Sequence, residues 1–291
     1  MNKYKFTDET IDFKGRILHR IESLMDFNDV KQGHKGGWVE DETNLSHNGD
    51  CWVYDNAMVY GNAKVCGNAK VYGNVQVFGN AKVYGQTMVC GNAKVYDDAK
   101  VYGKVWVYGK AEVYGNAEVC DNAEVWGKSK VCDNAIVFCN ANVCDNAQIC
   151  GNAQICGNAR VYDNAKVYDK AEVYGDAKVR NEAKVYGNAM VFECAIIDGK
   201  AEVCGNAIVY GDAQIYGNAL IRKMGDYITF QNFWSSGRYF TWTRSNNMWK
   251  VGCFYGTGEE LIKKAYADSE KSGKEYERVV RYVESVIMNN A

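Results

Sequence analysis

A six-residue unit repeats without insertion or deletion over residues 51–222, and this repeat restricts the chain to one kind of architecture. Each unit approximates Ala-x-Val-Tyr-Gly-Asn, and valine or isoleucine recurs at every sixth position from Val53 to Ile221. These two residues are 28 steps of six apart, so the stretch holds 29 units. A small residue, usually alanine, stands two positions before each aliphatic residue; the exceptions are Cys51, Val75, Thr87, Val105 and Ser129.

Within a unit, the alternation of Ala, a variable residue and Val predicts a short strand whose small and aliphatic side chains point inward. The following Gly-Asn or Asp-Asn pair tolerates positive φ and therefore suits a sharp corner. Three corners close a triangular coil, and neighbouring coils stack about 4.8 Å apart, so nearly ten coils form a rod about 45 Å long. The chain contains no proline, which fits because proline would remove a donor from the ladder.

The repeat resembles the hexapeptide-repeat superfamily of left-handed parallel β-helices. The run Val59-Tyr60-Gly61-Asn62-Ala63-Lys64 matches that motif at its aliphatic and small positions. It departs from the motif at Tyr60, where the superfamily usually carries Gly, Ala, Glu or Asp. The left hand is implied by this resemblance, since general crossover preferences favour the right hand. We therefore expect an all-β solenoid, a left-handed parallel β-helix of about ten triangular coils.

The sequence divides into residues 1–50, 51–222 and 223–291, and the first segment is predicted to be an N-terminal hairpin and cap. Two strands are predicted at 4–6 and 16–21 around a Lys14-Gly15 turn, followed by a glycine-rich loop over 30–39. Leu45 then enters the repeat register in a degenerate first coil. Such a segment is needed because a bare terminal coil pairs with other chains.

Four short stretches of this segment are distinctive: DFNDVK at 26–31, GGWV at 36–39, LS at 45–46 and GDCW at 49–52. Over about residues 15–60 the chain resembles the amino-terminal region of the YdcK-like hexapeptide-repeat proteins of bacteria and phages. The resemblance implies a phage- or prophage-encoded protein. Proteins of this family are commonly labelled transferases, a label that rests on analogy of fold.

The composition changes after Arg222, and residues 223–291 are predicted to form a small α+β domain docked on, or hanging from, the last coil. Three strands are predicted at 227–233, 238–244 and 248–255. Two helices follow, each introduced by a capping box, the first at Thr257 and the second at Ser272. The second helix carries an apolar face between Tyr276 and Ile287.

Acyl transfer is the activity that the superfamily resemblance implies, and it would use a histidine base near a junction between subunits. The chain has three histidines, His19, His34 and His47, and all precede the regular array. A general base must come within hydrogen-bond reach of the attacking group. Only His34, in the glycine-rich loop, is a candidate. We therefore expect no enzyme, no catalytic residue and no cofactor, and we keep a hexapeptide acyltransferase as an alternative.

The twelve cysteines are predicted to be free thiols in a reducing compartment, because the amino terminus lacks an apolar signal-peptide run. The predicted location is the cytoplasm, or the host cytoplasm for a phage-encoded chain. Cys132 and Cys150 are 18 residues apart, so they are predicted to stack in neighbouring coils between Tyr114 and Tyr168. A structural zinc needs four ligands, so we predict no metal site. The net charge of −2 and the absence of a long apolar run argue against nucleic-acid and membrane partners.

The terminal segment offers the richest mixture of aromatic and cationic side chains. Such a mixture can stack a base and hold phosphates, which predicts a ligand-sequestering, nucleotide-type function as one alternative. The competing interpretation is that the aromatic residues form the core of the domain. The candidate ligand-binding residues are Arg238, Tyr239, Trp242, Arg244, Trp249 and Lys250.

Residues 18 apart share a face, so the outward positions sort into three columns. The second half of one column is apolar, whereas its earlier coils carry Lys64, Lys82 and Lys100. We call this half the apolar strip and predict it as an oligomer face: Ile136, Phe138, Tyr174, Met190, Phe192, Ile208 and Tyr210. The family resemblance favours a trimer; alternatively, the strip docks the terminal domain folded back along the rod. A second apolar column contains Trp52, Tyr54, Tyr72, Met88, Trp106, Tyr108 and Trp126. The leading prediction is a rigid, non-catalytic binding or structural protein.

Overall fold

Residues 2–232 and 236–288 are described by a computed structural model, and they begin with three strands that lead into the repeat. Strands β1 (Tyr4–Phe13) and β2 (Arg16–Ser23) pair antiparallel around the predicted turn, where Lys14 and Gly15 both have positive φ. Strand β3 (Lys35–Val39) pairs antiparallel with β2 and parallel with the first complete coil. The predicted hairpin is present, but the predicted loop over 30–39 ends in a strand because its Trp38 and Val39 join the ladder of the solenoid.

The repeat forms 29 two-residue strands, β4 to β32, one in each unit, and these make three parallel sheets. The first sheet also contains β1 to β3, and its coil strands are β5 (Met58–Val59), β8 (Gln76–Val77), β11 (Lys94–Val95), β14 (Glu112–Val113), β17 (Lys130–Val131), β20 (Gln148–Ile149), β23 (Lys166–Val167), β26 (Lys184–Val185), β29 (Glu202–Val203) and β32 (Leu220–Ile221). The second sheet consists of β4 (Trp52–Val53), β7 (Lys70–Val71), β10 (Met88–Val89), β13 (Trp106–Val107), β16 (Glu124–Val125), β19 (Asn142–Val143), β22 (Arg160–Val161), β25 (Lys178–Val179), β28 (Ile196–Ile197) and β31 (Gln214–Ile215). The third sheet consists of β6 (Lys64–Val65), β9 (Lys82–Val83), β12 (Lys100–Val101), β15 (Glu118–Val119), β18 (Ile136–Val137), β21 (Gln154–Ile155), β24 (Glu172–Val173), β27 (Met190–Val191) and β30 (Ile208–Val209). The predicted β-solenoid of about ten coils is confirmed.

Most backbone hydrogen bonds between coils outside the strand pairs run in one direction along the rod, from an amide to a carbonyl of the coil that follows. The Trp52 N–H donates to the Ala69 carbonyl at 3.0 Å, and the Glu202 N–H donates to the Ala219 carbonyl at 2.8 Å. The aliphatic and alanine side chains of the units are fully buried inside the triangle. A coil therefore gives most of its amide hydrogens to the coil that follows it in sequence, whereas the parallel pairing directs the amide of the aliphatic residue to the preceding coil.

The corners explain why glycine alternates with aspartate at the fifth position of the unit. Gly61 has φ +69°, and a side chain there would meet the backbone of Gly79 in the next coil at 3.3 Å. Where aspartate occupies the corner, its carboxylate finds a donor in that next coil: Asp97 Oδ2 accepts from the Gly115 N–H at 3.2 Å. The hydrogen bond offsets the cost of a non-glycine residue in the left-handed region.

Beyond a 3₁₀ turn at Met224–Asp226, four strands form an antiparallel sheet: β33 (Tyr227–Gln231), β34 (Tyr239–Thr243), β35 (Met248–Val251) and β36 (Phe254–Gly256). The sequence predicts three strands, and the fourth arises because Gly252, with φ +56°, turns the chain within 248–255. The end of the first predicted strand includes Phe233, which lies outside the described residues.

Two helices follow this sheet, α1 (Gly258–Asp268) and α2 (Glu270–Met288). The predicted capping box of α1 is present, since the Glu260 N–H donates to Thr257 Oγ1 at 3.3 Å. The predicted start of α2 at Ser272 is wrong. The helix begins at Glu270, and the Ser272 N–H instead donates to the hydroxyl of Ser269 at 3.1 Å.

The terminal sheet lies between the last coil and the two helices. On its solenoid side, the Tyr227 hydroxyl donates to the Ile208 carbonyl at 3.2 Å, and Thr241 Oγ1 accepts from the Gln214 N–H at 3.0 Å. On its other side, Phe240 and Trp242 pack in the core formed with the helices. The domain is thus docked on the end of the rod, and the alternative in which it folds back along the apolar strip is wrong.

Candidate functional site

The amino-terminal end of the rod is closed mainly by hydrogen-bond donors. The prevailing direction of the ladder leaves carbonyl groups of the first coils for the cap to satisfy, and its backbone satisfies some of them: the Glu40 N–H donates to the Val59 carbonyl at 3.1 Å. The ammonium of Lys3, buried to 3% exposure, donates to the Gly49 and Cys51 carbonyls at 3.1 and 2.7 Å. The side-chain amide of Asn44 donates to the carbonyls of Gly61 and Ala63 at 2.7 and 2.8 Å. This segment is therefore a cap whose chemistry matches the end it covers.

The carboxy-terminal end is closed mainly by acceptors, because most of the backbone groups left over there are amide hydrogens. Besides Thr241, the Ser245 hydroxyl accepts from the Leu220 N–H at 2.6 Å. The carboxylate of Asp226 accepts from the Arg222 N–H at 2.8 Å. The terminal domain therefore satisfies the last coil in addition to packing on it.

The three histidines lie in the amino-terminal segment, as the sequence requires, and two of them pack within it. His19 stacks on Phe6 with ring centroids 4.9 Å apart, and His47 stacks on Tyr4 at 4.4 Å. His34 is exposed, with its ring edge-on to Tyr54 and the centroids 6.2 Å apart. His19 and His47 are half-buried, whereas His34 is exposed, so His34 remains the candidate for a base.

A polar cluster lies beside His34. The Asp29 carboxylate accepts from the Tyr54 hydroxyl at 2.9 Å and from the Lys70 ammonium at 2.7 Å. The hydrogen bond from Lys70 lowers the pKa of Asp29, and burial followed by the hydrogen bond to Asp29 raises the pKa of Tyr54. These groups satisfy one another, so the arrangement holds the cap against the first coils.

The candidate ligand-binding residues of the terminal domain are not brought together. Trp242 and Trp249 are 3% and 2% exposed and form the core with the helices, as the competing interpretation has it. Neither indole therefore offers a free face to a base. Strand alternation places Tyr239 and Lys250 on the opposite face of the sheet, where the Lys250 ammonium lies 4.4 Å from the Tyr216 ring centroid. Burial lowers the pKa of Lys250.

Two arginines of the same set lie at the edges of the domain. Arg244 is exposed, and its Nε donates to the Gly225 carbonyl at 3.3 Å. Arg238 is exposed and lies near the turn at Gly252. Ligand binding by the residues that remain accessible stays a prediction.

An ion pair near the terminal domain is a feature that the sequence analysis missed. Arg180 Nε donates to Asp198 Oδ2 at 2.7 Å, and its other nitrogens donate to the hydroxyls of Tyr162 and Tyr216. Asp198 is 5% exposed. Burial alone would raise the pKa of Asp198, but hydrogen bonds from Asn181, Tyr216 and Arg180 outweigh it and lower that pKa. The 18-residue spacing of Arg180 and Asp198 was the available signal.

The apolar strip is partly exposed along its length. Within it, the Phe192 ring stacks between Tyr174 and Tyr210, with centroid distances of 4.8 and 5.6 Å. Tyr210 is 41% exposed. In the second apolar column, Trp106 is 49% exposed, whereas Trp52 is fully buried beneath the cap and belongs to no surface.

Two of the twelve cysteines are joined, because Cys132 and Cys150 form a disulfide. The predicted stacking of these residues is confirmed, and the prediction of free thiols is wrong for this pair. Ten cysteines are free. The two sulfur atoms and a carboxylate oxygen of Asp133 lie within 4.8 Å of one another, which is one ligand fewer than a four-coordinate zinc needs.

Comparison with known proteins identifies the repeat. A family model described as the YdcK beta solenoid repeat matches residues 53–67 and 153–169. The resemblance to YdcK-like β-solenoid proteins is confirmed. Over 67 residues the chain is 37% identical to the "Uncharacterized acetyltransferase YdcK" of Escherichia coli (strain K12). That alignment covers 20% of this chain and 21% of the relative, so the chain spans about a fifth of the curated protein that it matches.

One further observation concerns membranes. Among residues 2–232 and 236–288, no helix combines the length and the apolar content required to cross a bilayer. The longest, α2, has 19 residues but carries charged side chains along its length.

Proposed function

We propose that this YdcK-like solenoid is a rigid, non-catalytic scaffold that presents its outward columns as binding surfaces. The observation that carries the proposal is the uninterrupted ladder of coils, closed at one end by donors and at the other by acceptors. Because the backbone groups at both ends of the rod find hydrogen-bond partners within the chain, the rod needs no ligand to fold. Its outward side chains stand in flat, regular columns, which suit a broad partner surface better than a small substrate.

The interior supports the rigidity of such a scaffold. Each fully buried valine contributes about 1.5–3 kcal/mol from burial before entropy is subtracted. The valines of neighbouring coils lie in register, as Val113 does between Val95 and Val131. A binding surface mounted on this frame keeps the spacing of its side chains from coil to coil.

The apolar strip is the surface that we propose for self-association. Three of its aromatic members, Tyr174, Phe192 and Tyr210, are already ordered by stacking on one another, so little of their side-chain entropy is lost when a second copy covers them. The strip runs parallel to the rod, which suits lengthwise packing of identical chains, and the family resemblance favours a trimer. Phage or prophage origin and a cytoplasmic location stay predictions from the sequence.

Acyl transfer is the competing function, and it is supported by the name of the Escherichia coli relative, which calls that protein an acetyltransferase. Acyl transfer requires a general base, and the candidate is His34, the exposed histidine beside the polar cluster that contains Tyr54. A coupled thiol-release assay with acetyl-coenzyme A and a panel of amines and sugars tests this function. We expect no turnover; a rate abolished by His34→Ala would replace the scaffold proposal with catalysis.

Self-association is tested by light scattering on the double variant Phe138→Lys/Phe192→Lys. We expect the wild-type chain to be oligomeric and the variant to have a lower mass with an unchanged far-ultraviolet spectrum. The matched control is Tyr84→Lys/Tyr102→Lys, which makes the same change in the same column but outside the strip. A wild-type chain that is monomeric at high concentration, or a control that dissociates equally, contradicts the proposal.

A further inference from the structure

One outward column of the rod is a ladder of aromatic rings that is interrupted once by a pair of cysteines. In its first half, Tyr60, Phe78, Tyr96 and Tyr114 stack face to face at 4.9 to 5.1 Å. In its second half, Tyr168 and Tyr186 stack at 5.0 Å. Cys132 and Cys150 occupy the two positions between these stacks.

An open, shallow cavity of about 340 Å³ lies beside the side chain of Cys150. Its walls are formed by Tyr168 and Gln148, and Cys150 lines it. It carries charges of both signs, from the ammonium of Lys166 and the carboxylates of Asp133 and Asp169. The cavity therefore suits a small molecule that has both an ammonium and a carboxylate group.

The two sulfur atoms differ in access. Cys132 is 3% exposed, whereas Cys150 is partly exposed and lines the cavity. An incoming group therefore reaches the sulfur of Cys150 and not that of Cys132. This asymmetry separates an attacked sulfur from a leaving sulfur, as thiol–disulfide exchange requires.

We propose that Cys132 and Cys150 form a thiol–disulfide exchange site for small zwitterionic thiols, which enter the cavity beside Cys150. The inference concerns a site separate from the apolar strip and does not depend on the scaffold proposal. No other two cysteines of the chain are 18 residues apart, so the repeat creates one such pair.

The exchange has two steps. A thiolate from the small molecule attacks Cys150 Sγ, the disulfide breaks, and its electron pair passes to Cys132 Sγ, which takes a proton from water. A second small-molecule thiolate attacks the attached small-molecule sulfur and releases Cys150, which also takes a proton. In total, one protein disulfide is reduced to two thiols while two small thiols are oxidised to one disulfide.

The frame around the pair keeps the sulfur atoms together in both redox states. The Cys132 N–H donates to the Ile149 carbonyl at 2.9 Å, and the Cys150 N–H donates to the Val167 carbonyl at 3.0 Å. These bonds belong to the ladder and do not involve the side chains. Reduction therefore leaves two thiols facing each other, ready to be oxidised again by the small-molecule disulfide.

The test is to equilibrate the full chain with mixtures of glutathione and glutathione disulfide, alkylate the free thiols, and map each site by tandem mass spectrometry. We expect Cys132 and Cys150 to convert together between disulfide and dithiol as the ratio changes. In the Cys132→Ser variant, Cys150 should accumulate as a mixed disulfide with glutathione. In Cys150→Ser, glutathionylation of Cys132 should be at least about tenfold slower because that thiol is buried.

Cys204→Ser is the matched control, since Cys204 stands in the same column without a cysteine neighbour. It should leave the behaviour of the pair unchanged. The proposal is overturned if the wild-type pair keeps one state across the whole range of ratios, or if Cys132 reacts as fast as Cys150. The wild-type titration needs no variant, so it decides the matter even where a substitution impairs folding.

Discussion

Asn44→Asp tests the donor chemistry of the amino-terminal cap by changing one atom of a fully buried side chain. The Asn44 amide donates to two carbonyls, and its oxygen accepts from the Asp41 N–H at 2.9 Å. The aspartate side chain has the same shape and keeps an acceptor for that N–H. It loses both donated bonds and places a carboxylate against the oxygens of Gly61 and Ala63.

The expected loss follows from these contacts. Each buried carbonyl left without a partner costs about 1–3 kcal/mol, so two give about 2–6 kcal/mol of the free energy of unfolding. The facing carbonyls should raise the pKa of the introduced carboxyl in the folded state. Its destabilisation should therefore be largest at neutral pH and become smaller as the pH falls through that raised pKa and the group gains a proton.

The matched control is Asn62→Asp, an identical change at an exposed position where the amide donates to Asn80 Oδ1 at 3.0 Å. It should change stability by less than about 0.5 kcal/mol. Denaturant unfolding measures both variants, and hydrogen exchange of the Ser46 amide, which donates to the Val65 carbonyl, reports on the first coil. Equal losses in the two variants, or a loss below about 1 kcal/mol for Asn44→Asp, would refute the reasoning.

Two further predictions concern the coils. Val113→Asp buries a carboxylate among aliphatic side chains and should cost at least about 3 kcal/mol; Lys94→Asp, which removes an exposed ion pair with Glu112, should cost less than about 1 kcal/mol. Equal melting temperatures for these two would mean that the inward register is misassigned. Because the pKa of Asp198 is lowered in the folded state, its carboxylate stabilises the fold above the ordinary aspartate pKa of 3.8, and this stabilisation is lost as the pH falls below that value. Melting temperatures should therefore decline less steeply in this acidic range in Asp198→Asn than in the wild type. Parallel declines would contradict this.

The solenoid could be predicted in detail because its period is local and strict. Val53 and each aliphatic residue six positions on had to face inward, and every one of them lies in a strand. The corners could be predicted equally well, because only a few residue types accept a positive φ. The handedness of the coil could not be predicted from the repeat, and its prediction rests only on the family resemblance.

The terminal domain was harder to predict because its strands do not repeat. Trp242 stands between two threonines and Trp249 between Met248 and Lys250, so the sequence does not single them out as core residues, and their burial depends on where the helices pack. The disulfide between Cys132 and Cys150 was missed for a different reason. Their 18-residue spacing predicts that the two residues stack, but the absence of a signal-peptide run at the amino terminus predicts free thiols for every cysteine. In the structure, the two residues lie in neighbouring coils and are close enough to form a disulfide.

Because most hydrogen bonds between coils run in the same direction, the two ends of the rod are unlike and largely complementary. Without residues 1–50 the rod would end mostly in bare carbonyls, and without residues 223–291 it would end mostly in bare amides. A core lacking both segments is therefore a monomer with a head that fits the tail of the next copy, and such head-to-tail contacts grow into open filaments. A core lacking only one segment has no complementary end to meet. In polymer terms, the two caps are chain terminators, because each covers an end to which a second rod would otherwise add.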